Sequence, residues 1–160
     1  MPRLDSLPAI NRNALLTFPA QINETTPWTP PRKPLSRSRL ALVTTAGLHS
    51  RDDRPFESKT GSGDYSFRSF PSSTPAAELL QSHASIGFDR TGIQRDLNVA
   101  FPLDRVRELA ERGAVGGLAP SYYSFIGALR DPSGVQRETG PEVARRLLAD
   151  GVEVVLITGT

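Results

Sequence analysis

The chain has 160 residues, a one-domain length, with 38% hydrophobic, 22% charged and 7% aromatic residues. That is enough apolar material for one modest core. With no cysteine in the sequence, a disulfide framework, a cysteine-ligated metal and a thiol nucleophile are excluded within these residues. No window approaches the roughly 18 consecutive apolar residues of a membrane-spanning helix, and Ala14-Leu15-Leu16 is too short for a signal peptide, so a cytoplasmic location and no membrane partner are expected.

The formal charge of +2 is unevenly placed. Residues 1–38 hold five basic and two acidic residues, while the remainder holds fourteen and fifteen. The cluster Arg32, Lys33, Arg37 and Arg39 is sparse and carries no nucleic-acid-binding motif, so it is expected to be a solvated arm and not a nucleic-acid site. Half of the fourteen prolines lie in the same stretch. Proline fixes φ and lacks an N–H, so residues 1–38 are expected to form an irregular arm. Trp28 and Phe18 are expected to anchor it to the body, formed by residues 39–160.

The body opens with the apolar run Leu40–Thr45, which reads as a buried parallel strand. A long polar loop is expected from Gly47 to Gly63, carrying His49, Arg51, Asp52, Asp53 and Arg54. Residues 64–70 suit a short edge strand. Thr74-Pro75 suggests a helix start, with a short helix to Gln81. A helix is expected over Leu103–Arg112, with Leu103, Val106, Leu109 and Ala110 as its apolar stripe and Gly113 as its stop. Val115–Pro120 reads as a short strand and Tyr122–Ile126 as the start of a short helix. Thr139 and Glu142 have capping-box spacing ahead of a last helix that Gly151 ends. Val152–Ile157 then reads as a buried strand. Strand and helix alternate, which argues α/β with a mostly parallel sheet and flanking helices, Rossmann- or flavodoxin-like and incomplete at the C-terminus.

The standard catalytic signals are missing. No G-x-G-x-x-G follows the first strand, Gly61-Ser62-Gly63 has no lysine at phosphate-loop spacing, and no G-x-S-x-G exists. His49 and His83, with Asp52, Asp53, Asp89 and Asp96, have the spacing of no defined metal site, so no metal is expected. Asp52-Asp53 fits a general-base pair or a solvated turn whose carboxylates pair with Arg51 or Arg54. Gly116-Gly117 fits close approach to a ligand or a tight turn.

The ordered motifs are more specific. They run from Leu40–His49 through Asp52-Asp53-Arg54-Pro55-Phe56 and Gly63–Arg68 to Ser82-His83, Asp89 and Asp96-Leu97-Asn98-Val99. Phe101-Pro102-Leu103-Asp104-Arg105, Gly117-Leu118-Ala119-Pro120 and Tyr123-Ser124-Phe125-Ile126-Gly127 follow. Glu138-Thr139, Pro141–Leu147 and Asp150-Gly151-Val152 complete the set. In this order residues 38–160 resemble the selenoprotein B family of the glycine, sarcosine, betaine and D-proline reductases, especially its short relatives. Residues 1–37 match only loosely.

The resemblance implies a subunit of an amino-acid reductase. In that family a selenocysteine or cysteine anion attacks the carbon bearing the amino group, the C–N bond breaks, and the product passes on selenium or sulfur to a partner protein. A pyruvoyl group on another subunit holds the substrate amine in the glycine-type enzymes. The implied partners are other reductase subunits, a redox protein and a small amino-acid-like substrate. The redox residue follows directly after the family's last strand, whereas this sequence stops at Thr160. A UGA codon read as stop is the expectation; a fragment boundary or a true truncation would look the same. The chain as given holds no cofactor and is expected to be inactive alone.

His83, Asp89, Asp96 and Asn98 lie in the matching polar segment, and His49 at the end of the first strand. His83 is the foremost candidate, as proton donor or anion partner, because histidine titrates near neutrality; hydrogen bonding to a loop is the equal alternative. Asp96 and Asn98 are expected to hold the loop before Phe101-Pro102 more than to touch substrate. A non-catalytic α/β module that binds a partner or small ligand is the alternative for the whole chain.

Overall fold

Strand β1 (Arg39–Thr44) forms the middle of a five-stranded sheet, and every residue in it after Arg39 is buried. The computed structural model describes residues 3–19, 24–26, 28–57, 63–83 and 90–159. On one flank β7 (Val154–Thr158) runs parallel to β1, in register from Leu40 opposite Val154 to Thr44 opposite Thr158. On the other flank lie β5 (Gly117–Leu118) and β6 (Ser121–Ser124), also parallel. These two are one strand interrupted at Pro120, which has no N–H to donate. The ladder holds on both sides of the break, from Ala119 N to Leu40 O and from Phe125 N to Thr44 O, each 2.8 Å. β3 (Arg68–Pro71) closes the far edge, antiparallel to β6.

Side chains alternate across a strand, so each face gathers its own set. On one face Phe101 stacks edge-on against Phe70 and Tyr122, at 5.7 and 5.9 Å between ring centroids. Helix α3 (Leu103–Glu111) follows Phe101 and buries Leu103 and Val106 in the same core. On the other face Tyr123 meets Phe67 at 5.8 Å, and Arg146 of α4 (Gly140–Ala149) lies over the Phe67 ring. The chain passes from β1 to its neighbour β5/β6 by way of α3. It then crosses back over β1 by way of α4 to reach β7. The α/β architecture with a mostly parallel sheet and flanking helices is therefore as the sequence indicates.

Several local expectations are overturned. The loop after β1 contains β2 (Leu48–Ser50), which pairs with β4 (Leu79–Gln81) as a small antiparallel ribbon. Only a 3-10 turn at Ala76–Glu78 forms where a helix was expected, because Leu79 and its neighbours are taken up by that ribbon. Tyr122 and Tyr123 lie in a strand, not a helix; bulky aromatics suit a pleated surface between two partners. The Thr139–Glu142 capping box does not form, because a π-helical turn at Val135–Thr139 leads directly into α4. Thr139 instead donates its hydroxyl to Tyr65 O at 2.6 Å, and Glu142 pairs with Arg145 and Arg146. Gly113 and Gly151 do end their helices with positive φ. β7, read as buried, exposes most of its length.

Among the described residues, the proline-rich stretch contains one short α-helix, α1 (Ala9–Leu16), between Pro8 and Pro19. Phe18 meets Arg130 at 5.7 Å, as an anchor should. Trp28 does not anchor; it is 77% exposed, in a stretch that prolines keep out of the sheet ladder. The arm is tied down instead by a Lys33–Glu153 ion pair at 2.6 Å and by Gly116 N donating to Leu35 O at 2.9 Å. No described helix is long and apolar enough to cross a membrane.

Candidate functional site at the carboxyl ends of the strands

In an open parallel sheet, the crevice outside the carboxyl ends lies where the connections diverge. Here that point is between β1 and β7, since the chain leaves β1 toward β5/β6 and returns on the far side. Thr45 N donates to Thr158 O at 3.0 Å, so the two strands end side by side.

Three hydroxyl side chains cross the sheet at this level. The register sets Ser124, Thr44 and Thr158 opposite one another, on the α3 face. Ser124 Oγ accepts from Leu48 N at 2.8 Å. Thr44 Oγ1 accepts from Ala46 N at 3.1 Å and lies 3.3 Å from Thr158 O. Thr158 Oγ1 is buried and has no hydrogen-bond partner among the described residues. A buried hydroxyl in that condition is costly unless something else engages it.

His83 is held against the turn after β1. Gly47 has φ +67°, and a Cβ there would come within 3.0 Å of His83 N. Glycine is thus needed both for the left-handed backbone and for the close approach. Gly47 O accepts from Ser82 N at 2.9 Å. The His83 side chain is 1% exposed. Burial pushes its pKa below the usual histidine value, and the positive charge of Arg90 adds to the shift. A neutral imidazole is therefore favoured near neutral pH.

The other predicted site residues lie elsewhere. His49 is not at the end of the first strand but inside β2, buried, with Nδ1 2.8 Å from Ser50 O. That contact makes Nδ1 the donor nitrogen. Asp96 caps the 3-10 turn Leu97–Val99, and its carboxylate accepts from Asn98 N and Nδ2. Those bonds, led by the one from the side chain, hold its pKa low. Asn98 also bonds both the side chain and the backbone N of Asp104 at 2.9 Å. Asp96 and Asn98 thus interlock the loop with the start of α3. Asp89 lies outside the described residues. Among the described residues no three histidine, aspartate or glutamate side chains gather as a group for a metal ion.

The hydroxyl row was not found from the sequence. Its only signal is that three strands end in serine or threonine, which gains meaning once the register is known.

A profile of the family described as glycine/sarcosine/betaine reductase selenoprotein B matches residues 15–160. The chain belongs to this family. The match reaches into the arm, further toward the N-terminus than the motifs of residues 38–160. Among curated relatives, the D-proline reductase subunit gamma of Acetoanaerobium sticklandii is 40% identical over 131 residues, 82% of this chain and 52% of that protein. The sarcosine reductase complex component B subunit beta of Peptoclostridium acidaminophilum is 30% identical over 146 residues, 89% of this chain and 33% of that protein. The betaine reductase complex component B subunit beta of the same organism is 31% identical over 139 residues, 81% and 30%. This family member thus spans about half the length of the first relative and about a third of the other two. No solved structure matches the chain.

Proposed function

We propose that the chain is the N-terminal part of a subunit of an amino-acid reductase complex. The reaction is reductive cleavage of a C–N bond in a small amino-acid-like substrate. The observation that carries this reading is the 40% identity to a D-proline reductase subunit across 82% of the chain. The nucleophile is proposed to be a selenocysteine or cysteine in a segment continuing β7. A selenolate or thiolate there supplies the electron pair that displaces the amino nitrogen from carbon, and such an anion forms readily near neutral pH for selenium. Other reductase subunits and a redox protein are the proposed partners. A pyruvoyl group, where one takes part, belongs to a partner subunit, and no residue of this chain is assigned to it.

The residues present suit that placement. Five paired positions between β1 and β7 deliver the end of β7 to the diverging connections at the carboxyl edge. Thr158 offers a hydroxyl with no other described partner, able to donate to an anion beside it. The neutral ring of His83, steadied by the Gly47 turn, can hold or move a proton at its ring nitrogens.

The DNA directly after the Thr160 codon tests the proposal. An in-frame continuation carrying a TGA or cysteine codon close to β7, with a further cysteine nearby, is the expected result. Stop codons in all frames would overturn it and leave a non-catalytic α/β binding module.

A further inference from the structure

A cavity of about 460 Å³ lies between the β2–β4 ribbon and helix α2 (Thr91–Arg95). Its floor is apolar, supplied by Leu48, Leu80, Ile93 and Leu97. Its polar groups include Arg90, Arg95 and Gln81, and among the described residues no aspartate or glutamate lines it. This volume falls in the range of small-molecule sites, which commonly combine apolar walls with a few convergent polar groups.

The two arginines stand apart from most of the others in the body. Arg54 pairs with Glu57, Arg68 with Asp53 and Asp64, Arg105 with Glu108, Arg107 with Asp104, and both Arg145 and Arg146 with Glu142. Arg90 and Arg95 form no ion pair among the described residues. Asp96, which adjoins Arg95, spends its carboxylate on Asn98, and Asp89, which adjoins Arg90, lies outside the described residues. Two guanidiniums with no described acidic partner over an apolar floor suit a small organic anion, since a guanidinium matches a carboxylate with two parallel hydrogen bonds.

Two of its lining residues also bond to the carboxyl end of the sheet. Gln81 lines it and donates Nε2 to Ala46 O at 3.2 Å, in the turn that follows β1. Leu48 lines it and donates its N–H to Ser124 Oγ. Arg90 is close enough to bear on His83 electrostatically.

We propose that this cavity binds a small carboxylate, with Arg90 and Arg95 recognising the carboxylate group and the apolar floor receiving the carbon skeleton. That the natural ligand is an amino acid rests on the functional reading above; that the cavity takes a carboxylate does not.

Calorimetric titration of the full chain with three five-membered-ring probes separates the two statements. Cyclopentanecarboxylate carries the acid without the amine, pyrrolidine the amine without the acid, and D-proline both. Cyclopentanecarboxylate and D-proline are expected to bind and pyrrolidine is not. Arg90→Gln and Arg95→Gln should each weaken binding at least ~10-fold, the loss expected for a charge-assisted contact. Arg112→Gln, which removes the same charge from the end of α3, should leave binding unchanged. Thermal unfolding of each variant checks that the fold persists. No binding by cyclopentanecarboxylate, or binding that both arginine variants retain, would overturn the proposal. Arginine-dependent binding of cyclopentanecarboxylate without D-proline binding would uphold the cavity and refute the amino-acid reading. D-proline binding indifferent to both arginines would refute the cavity and leave that reading standing.

Discussion

Strands β1 and β7 are neighbours with nearly the same composition, yet they live in different environments. Leu40-Ala41-Leu42-Val43-Thr44 pairs residue for residue with Val154-Val155-Leu156-Ile157-Thr158. Leu42 is completely buried, whereas Ile157 is 67% exposed. The difference comes from neighbours. β1 has paired strands on both edges and core residues of both helices over its faces. The outer edge of β7 is paired with no described strand, and apolar side chains stay open beside it. An apolar run thus specifies a strand, while its burial is decided by what lies alongside. An unprotected apolar edge of this kind is a template for association.

Core truncation should break the symmetry most sharply. Leu42→Ala is expected to cost about 3–4 kcal/mol in urea unfolding, as for a leucine with no room to relax. Leu156→Ala, opposite it but partly exposed, should cost about 1 kcal/mol. Equal losses would mean that β7 is covered as β1 is. At the carboxyl end of β1, Gly47→Ala should cost about 1–2 kcal/mol, through its left-handed φ and the contact with His83 backbone. A neutral result would show that the turn is not pinned there.

A smaller effect is expected from pH. The folded pKa of His83 lies below its unfolded value, so protons bind the unfolded chain first as pH falls. Its contribution is fully present above about pH 6.5 and declines from there toward the lower folded pKa. His83→Gln should flatten unfolding stability between pH 7 and pH 5.5; an unchanged slope would place that histidine in water. Smallest in stability is Ile157→Lys, expected to change it by no more than about 0.5 kcal/mol at so exposed a position. Its effect should appear in sedimentation, where the parent chain associates and the variant shifts toward monomer. Monomeric behaviour of both would show that the β7 edge is not sticky.

What the sequence reveals follows the range of the interactions involved. β1, α3, α4 and β7 are legible because periodicity and the glycines after α3 and α4 are local signals. β2, β4 and β6 are not, since each exists only through a partner distant in sequence, as His49 opposite Leu80 shows. The same holds at the site. His83 attracts notice by residue type alone, but its place against Gly47 requires the fold. Thr44, Ser124 and Thr158 are unremarkable until register sets them in one row. Thr139 and Glu142 mislead because capping-box spacing is read locally, while the helix continues upstream of it. Family membership was legible, because the order of many weak motifs is a whole-chain signal.

The proposed reactive residue follows β7 in the working protein. The most direct measurement is the intact mass of the protein purified from its native source. The expected result is a polypeptide well above the 17.4 kDa of this chain, carrying either a selenium isotope pattern or a cysteine that alkylates. A species of 17.4 kDa with neither selenium nor a reactive thiol would contradict it.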